Sequence, residues 1–326
     1  MHLYCCAAEA SCPQGRDFLC FLSSGFGILA ASCILPIEYP FSRSSNPMMK
    51  CFLALIPALS LLISGCTQAR QNSSSSSSTS TATSSGNCQS LMVPSYLSSG
   101  SSSWKTLVSD APWSSSVTRT LLLNPNSGPG SAADSSFQQV VTTLHSAGAK
   151  VYGYVYTNYG AVSLATAEAQ VDEYIQWYGV DGIFLDCSSS DASLVSSYYQ
   201  PLATYITTKI SGGGVILNAG TYPDASYAAI TVPSTSTLRI VVFEDDYSNF
   251  TSTSAAEPSW AKSYPASRFI DIVYNTSSAN LANALSLSAE RNVGSVYMTD
   301  DTLPNPYDTI PGYWSTLVKD TQAGCS

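Results

Sequence analysis

Between Cys88 and Cys325, short runs of aliphatic, β-branched and aromatic residues alternate with polar segments compatible with helix. The runs span 91–97, 119–125, 150–156, 180–186, 215–219, 238–244, 268–275 and 293–300, each of strand length. Alternating strands and helix-length segments imply parallel pairing, because a parallel neighbour is reached only by a long crossover. Eight such units in about 250 residues match a closed barrel. The predicted fold class is α/β, a single (β/α)8 TIM-type barrel over residues 88–326.

Barrel enzymes carry their chemistry at the C-terminal ends of the strands. Here those ends hold Asn124, Asp186, Asn218, Glu244 and Asp300. In the fourth run, the two-residue period puts Gly182, Phe184 and Asp186 on one face and Ile183 and Leu185 on the other. Directing Ile183 and Leu185 at the outer helices sends Asp186 to the barrel mouth. The run ending Val242-Phe243-Glu244 gives Glu244 the same placement. Two carboxyls across a dry cleft are what glycosidic cleavage requires, one as acid and the other as nucleophile or base. A lone acid after a strand also serves as a helix cap; a pair in a chain short of other catalytic groups favours chemistry.

Elimination narrows the choice further. His145 is the one histidine downstream of the apolar leader, and it lies in a helical stretch whose buried face is Val140, Val141 and Leu144. It reads as a helix-surface residue, which argues against a Ser-His-Asp triad and a histidine-based metal site. Gly212-Gly213-Gly214 precedes a strand instead of following one, so it reads as a helix stop and not a phosphate loop. No cofactor is expected. Clustered acids at Glu244-Asp245-Asp246 and Asp300-Asp301 raise a calcium alternative, but their spacing matches no known loop and no metal is expected. The same clustering can raise one carboxyl pKa by like-charge repulsion. Candidate substrate-binding residues are Asn124, Asn218, Asp245 and Asp300, with Tyr154 and Tyr156 offering flat faces for sugar. Turn capping and plain packing are the alternatives for the asparagines and tyrosines.

Residues 1–87 differ in character. Lys50 precedes an apolar run, 51–63, which ends in Ser64-Gly65-Cys66, the layout of a secretory signal. Ile63-Ser64-Gly65-Cys66 resembles a bacterial lipobox, with Cys66 as the lipid attachment site; a signal peptide cut nearby is the simpler alternative. Residues 1–47 then form an over-extended start or a long leader, and 48–66 the signal. The Ser/Thr-rich stretch 67–87 cannot bury enough apolar area to offset chain entropy and reads as a disordered tether. The protein is expected to be exported, either lipid-anchored at a bacterial membrane or secreted.

Three bases and three acids precede residue 66, so the remainder keeps the full net charge of −9. That balance argues against nucleic acid and anionic membrane. The expected partner is a polysaccharide, a membrane entering only through lipid on Cys66, and the protein is expected to be a monomer. In a closed barrel the first and last strands pair, which brings the chain ends together, so Cys88 and Cys325 are a plausible disulfide in an oxidising compartment. Cys187 is then left unpaired.

Several segments resemble the spherulin-4 (spherulation-specific) family. They are Val93-Pro94-Ser95-Tyr96, Leu123-Asn124-Pro125-Asn126-Ser127-Gly128-Pro129-Gly130, Gly153-Tyr154-Val155, the stretch from Tyr178 to Asp186, and Phe243-Glu244. The resemblance covers residues 91–320. It implies a barrel glycoside hydrolase of the kind that cuts galactosaminogalactan as an endo-α-1,4-N-acetylgalactosaminidase. In that family an Asp-Glu pair ends strand 4 and a further Glu ends strand 6. Asp186 and Glu244 match the first and last of these, whereas Cys187 stands where the family has Glu. A thiol does not replace a carboxyl, so the roles are redistributed or activity is weakened; the alternative function is a catalytically weakened carbohydrate-binding cell-surface barrel. An α-linked N-acetylgalactosamine cannot use its own 2-acetamido group as nucleophile, so the protein must supply the nucleophile or base. A carboxyl separation of about 5–5.5 Å implies retention, and about 6.5–9.5 Å inversion.

Overall fold

The computed structural model describes residues 88–109, 117–252 and 257–325. The leader over 1–47, the signal over 48–66 with Cys66, and the tether over 67–87 all lie outside the described residues. Eight parallel strands close into a barrel in sequential order. They are β1 (Ser90–Val93), β2 (Arg119–Leu123), β3 (Lys150–Tyr156), β4 (Gly182–Asp186), β5 (Gly214–Asn218), β6 (Thr237–Asp246), β7 (Phe269–Tyr274) and β8 (Ser295–Met298). Closure comes from β1 against β8, with Ser90 opposite Ser295 and Leu91 opposite Val296.

The ends of the strands depart from the hydrophobic runs for local reasons. The first strand stops at Val93 because Pro94 has no N–H to continue the ladder. The sixth runs two residues past Glu244, where Asp245 and Asp246 pair with Val273 and Tyr274 of β7, after a register shift between Val241 and Phe243. The eighth ends at Met298, so Asp300 lies in the loop beyond it and not on the strand.

Helices α1 (Ser103–Ser109), α2 (Ser135–Ser146), α3 (Leu164–Tyr178), α4 (Gln200–Lys209), α5 (Tyr247–Phe250), α6 (Leu281–Glu290) and α7 (Trp314–Thr321) fill the connections. The side chains of Asp134 and Ser163 cap the N-termini of α2 and α3. Gly179 ends α3 in the left-handed conformation, φ 63°. One contact fixes how α3 sits on the barrel. A Cβ at Gly153 would come within 2.5 Å of the Tyr174 ring, so only glycine lets that ring lie on β3. From there the Tyr174 hydroxyl donates to the Leu123 carbonyl of β2, 3.1 Å away. Residue 153 therefore faces outward, and Tyr152 and Tyr154 face the barrel interior. His145 lies on the exposed surface of α2, its Nε2 2.8 Å from Asp181 at the N-terminal end of the strands.

Cys88 and Cys325 are joined, with Cα atoms 4.6 Å apart across 237 residues of chain.

One buried acid sits away from the barrel mouth. Asp271 of β7 is buried and accepts a hydrogen bond from Ser288 of α6 at 2.7 Å. Burial pushes its carboxyl up to about 7, against the opposing pull of the Ser288 hydrogen bond and then of Arg291. The unfolded chain releases that proton near its ordinary value while the fold retains it. Stability from this site is thus complete below about pH 4 and falls as pH rises toward about 7. Asp271→Asn is expected to raise Tm by about 4 °C or more at pH 8 and to leave it nearly unchanged at pH 4, as scanning calorimetry would show.

Candidate active site

Asp186 and Asn218 are the last residues of β4 and β5, and Glu244 lies past the register shift of β6. All three are buried, with 3%, 3% and 6% of their surface exposed. The Asn218 amide links them: its Nδ2 donates to Asp186 Oδ1 at 2.8 Å and to Glu244 Oε2 at 2.6 Å. Its Oδ1 accepts the Gly220 N–H at 3.1 Å, which fixes the amide with its nitrogen toward the acids. Since one nitrogen holds both carboxyls, the two bonded oxygens lie closer together than the roughly 6.5–9.5 Å that leaves room for an intervening water.

Each acid also takes a phenol. Tyr154 of β3 donates to Asp186 Oδ2 at 2.6 Å, and Tyr307, in the loop after β8, donates to Glu244 Oε1 at 2.6 Å. Tyr96, just past β1, stands edge-on to both rings, with centroids 5.9 Å from Tyr154 and 5.6 Å from Tyr307. Its backbone N–H donates to the Tyr307 carbonyl at 3.0 Å, tying the two loops together.

Desolvation raises the pKa of both acids. Glu244 is carried up to about 7, first by burial and then by the charge of Asp186. At Asp186 the hydrogen bonds from Tyr154, Asn218 and the Cys187 backbone oppose the effect of burial. The pair therefore takes up its first negative charge at Asp186 and retains a proton at Glu244 into mildly acidic solution.

The remaining candidates fall elsewhere. Tyr154 is buried, and its ring stacks on Phe184 at 6.5 Å, so it orients Asp186 and offers no open face to a sugar. Asn218 is likewise committed to the acids. Asn124 accepts the Gly128 N–H at 2.9 Å and holds its own loop. Tyr156 donates to Asn158 at 3.0 Å. Asp245 accepts from Tyr274 and from Asn249, each at 2.9 Å, and Asp300 accepts the Gly312 N–H at 3.1 Å on the exposed rim. Cys187 is buried at φ 48°, with its sulfur 3.9 Å from Asp186 Oδ2. It is not the unpaired thiol expected from the cysteine count: it is disulfide-bonded. Among the described residues, no group of three or more His, Cys, Asp or Glu is arranged to hold a metal.

Comparison with known proteins gives the family of the chain. The model of spherulation-specific family 4 matches residues 90–321. The chain belongs to this family. Spherulin-4 of Physarum polycephalum is 35% identical over 237 residues, covering 69% of this chain and 68% of that protein. Among solved structures, the Aspergillus clavatus Sph3 complex with GalNAc is similar in fold, at a TM-score of 0.61 and 21% identity. The match spans 73% of this chain and 99% of Sph3. The spore cortex-lytic enzyme SleL of Bacillus cereus is more distant, at a TM-score of 0.45 and 9% identity over 72% of this chain and 75% of its own.

Tyr307 and Tyr96 are the site residues that strand analysis did not reach. Tyr96 lies within the Val93–Tyr96 segment that carries part of the family resemblance; Tyr307 follows Asn305-Pro306 in a loop with no strand pattern to mark it. The bridge makes a direct prediction. Asn218→Asp, which replaces the shared donor by a third acid, is expected to raise the Glu244 pKa further. Asn218→Ala is expected to lower thermal stability by about 1–3 kcal/mol, because two buried acceptors lose their donor. Carboxyl-resolved NMR titration and calorimetry would read the two effects.

Proposed function

We propose that the protein is an exported endo-acting glycoside hydrolase that cleaves an amino-sugar polysaccharide of the α-1,4-linked N-acetylgalactosamine type. The observation that carries this reading is the pair of buried carboxyls, Asp186 and Glu244, joined by one amide at the C-terminal end of the barrel. Family membership supports it, as does the fold shared with Sph3, which was crystallised with GalNAc.

The short spacing supports a retaining course. Asp186, ionised and held by Tyr154 and Asn218, attacks the anomeric carbon. Glu244 gives its proton to the leaving oxygen. A glycosyl ester on Asp186 results, and water, deprotonated by Glu244, releases it. Tyr307 keeps Glu244 in place for both proton transfers. The second reading, a carbohydrate-binding barrel with weakened catalysis, is favoured by one observation: Cys187 stands where the family pattern calls for Glu, and a sulfur supplies no carboxyl proton.

Incubation of the purified protein with amino-sugar polymers, followed by oligosaccharide analysis, separates the two readings. Asp186→Asn and Glu244→Gln are each expected to lower kcat by at least about a hundredfold, the scale of general acid–base loss. The pH profile of kcat/KM is expected to fall on its alkaline side near pH 7, where Glu244 loses its proton. Binding without products in wild type would leave the binding reading in place.

We further propose that Cys66 carries lipid in a bacterial host, on the strength of the apolar run and small residues before it. Cys66→Ser is then expected to move the protein from the membrane fraction to the soluble exported fraction. Unchanged partition would favour an ordinary signal peptide.

A further inference from the structure

A cavity of about 550 Å³ opens at the N-terminal end of the barrel, lined by strand-start residues including Lys150, Thr237 and Ser295. This is the end away from Asp186 and Glu244. Arg239, the third residue of β6, lines it and reaches across the barrel to Thr120 of β2, Nη2 to Oγ1 2.9 Å. Its guanidinium also lies over the Tyr152 ring, 5.4 Å from the centroid. Arg239 is 7% exposed, and among the described residues no carboxylate lies within 4.0 Å of it. Thr120 takes one of the five N–H donors that a guanidinium offers.

The charge around the cavity is lopsided. Lys150 and Arg268 also line it, and the acid there is Asp181. Asp181 is already committed: it accepts from Lys150 at 2.9 Å, from the Val151 N–H at 2.9 Å, and lies 2.8 Å from His145 Nε2. Arg268 donates to the Ala228 carbonyl at 3.3 Å and brings no counter-charge. A second observation points the same way. The hydroxyl of Ser236, on the same lining, is buried with no hydrogen-bond partner among the described residues.

A buried cation that has a neutral hydroxyl and a ring for company but no counter-ion within 4.0 Å is costly. A planar fork of N–H donors, an idle hydroxyl and a lining with more cations than acids suit a small oxyanion, because a carboxylate or phosphate accepts from guanidinium through two oxygens at once. We propose that this cavity is an anion-binding site, specific for a carboxylate or phosphate group seated on Arg239 and Ser236. It is separate from the carboxyl pair and stands whether or not that pair is catalytic.

The test is thermal melting of the full protein against increasing phosphate, or galacturonate, at ionic strength held constant with chloride. One of the two is expected to raise Tm saturably by at least about 2 °C, as binding to the folded state alone requires. Saturation by phosphate would identify a phosphate site, and saturation by galacturonate a carboxylate site. Arg239→Gln is expected to abolish the shift. Ser236→Ala, which removes one hydroxyl and leaves Arg239 in place, is expected to weaken binding at least threefold and serves if Arg239→Gln does not fold. A wild type whose Tm responds to neither anion beyond the chloride control would overturn the proposal. So would a saturable shift that both variants retain in full.

Discussion

One amide nitrogen holds together the two acids at the mouth of this barrel. Two carboxyls so close, and so well removed from water, repel when both are charged and lose solvation when either is. Asn218 answers both costs at once by giving each acid an N–H. It can do so because Gly220, at φ 64°, turns its own N–H back onto the Asn218 oxygen and removes the freedom to flip. The three residues lie on three successive strands, so the spacing of the acids is inherited from the strand-to-strand spacing of the sheet. A loop-borne pair would have no such ruler.

Around this bridge the phenols act as a collar. Tyr154 and Tyr307 each saturate the outer oxygen of one acid, and Tyr96 stands at right angles to both rings. Hydroxyls with strongly raised pKa values remain donors throughout the range in which the acids titrate. The collar thus biases the two carboxyls toward charge by donation while burial biases them toward neutrality. The unequal balance, with more hydrogen bonds opposing burial at Asp186, is what separates an ionised from a protonated partner.

The barrel was legible in the chain because strand periodicity and turn chemistry are local. Two-residue alternation was enough to send Asp186 inward, since Ile183 and Leu185 need the helices. It was enough for Glu244 too, though the register shift before Phe243 left no trace in the hydrophobic pattern. What alternation does not carry is which inward residues touch. Sequence alone offers Asn218, at a strand end, and Tyr154, along a strand, to sugar, because their hydrogen bonds to the acids span 26 and 32 residues of sequence. Tyr307 comes from an irregular loop and meets Glu244 across 63 residues. Arg239 is hidden for the opposite reason: a cation in the middle of an apolar run has no local partner to explain it, and its contact with Thr120 spans 119 residues.

The bond between Cys88 and Cys325 gives the chain a different kind of order. With β1 already paired to β8, the eight units form a cycle in space, and the sulfur bridge makes that cycle covalent. Which unit counts as first is then a fact about where the gene begins and not about the fold. The backbone could be joined across this seam and opened in another exposed loop, and each strand would keep its two neighbours.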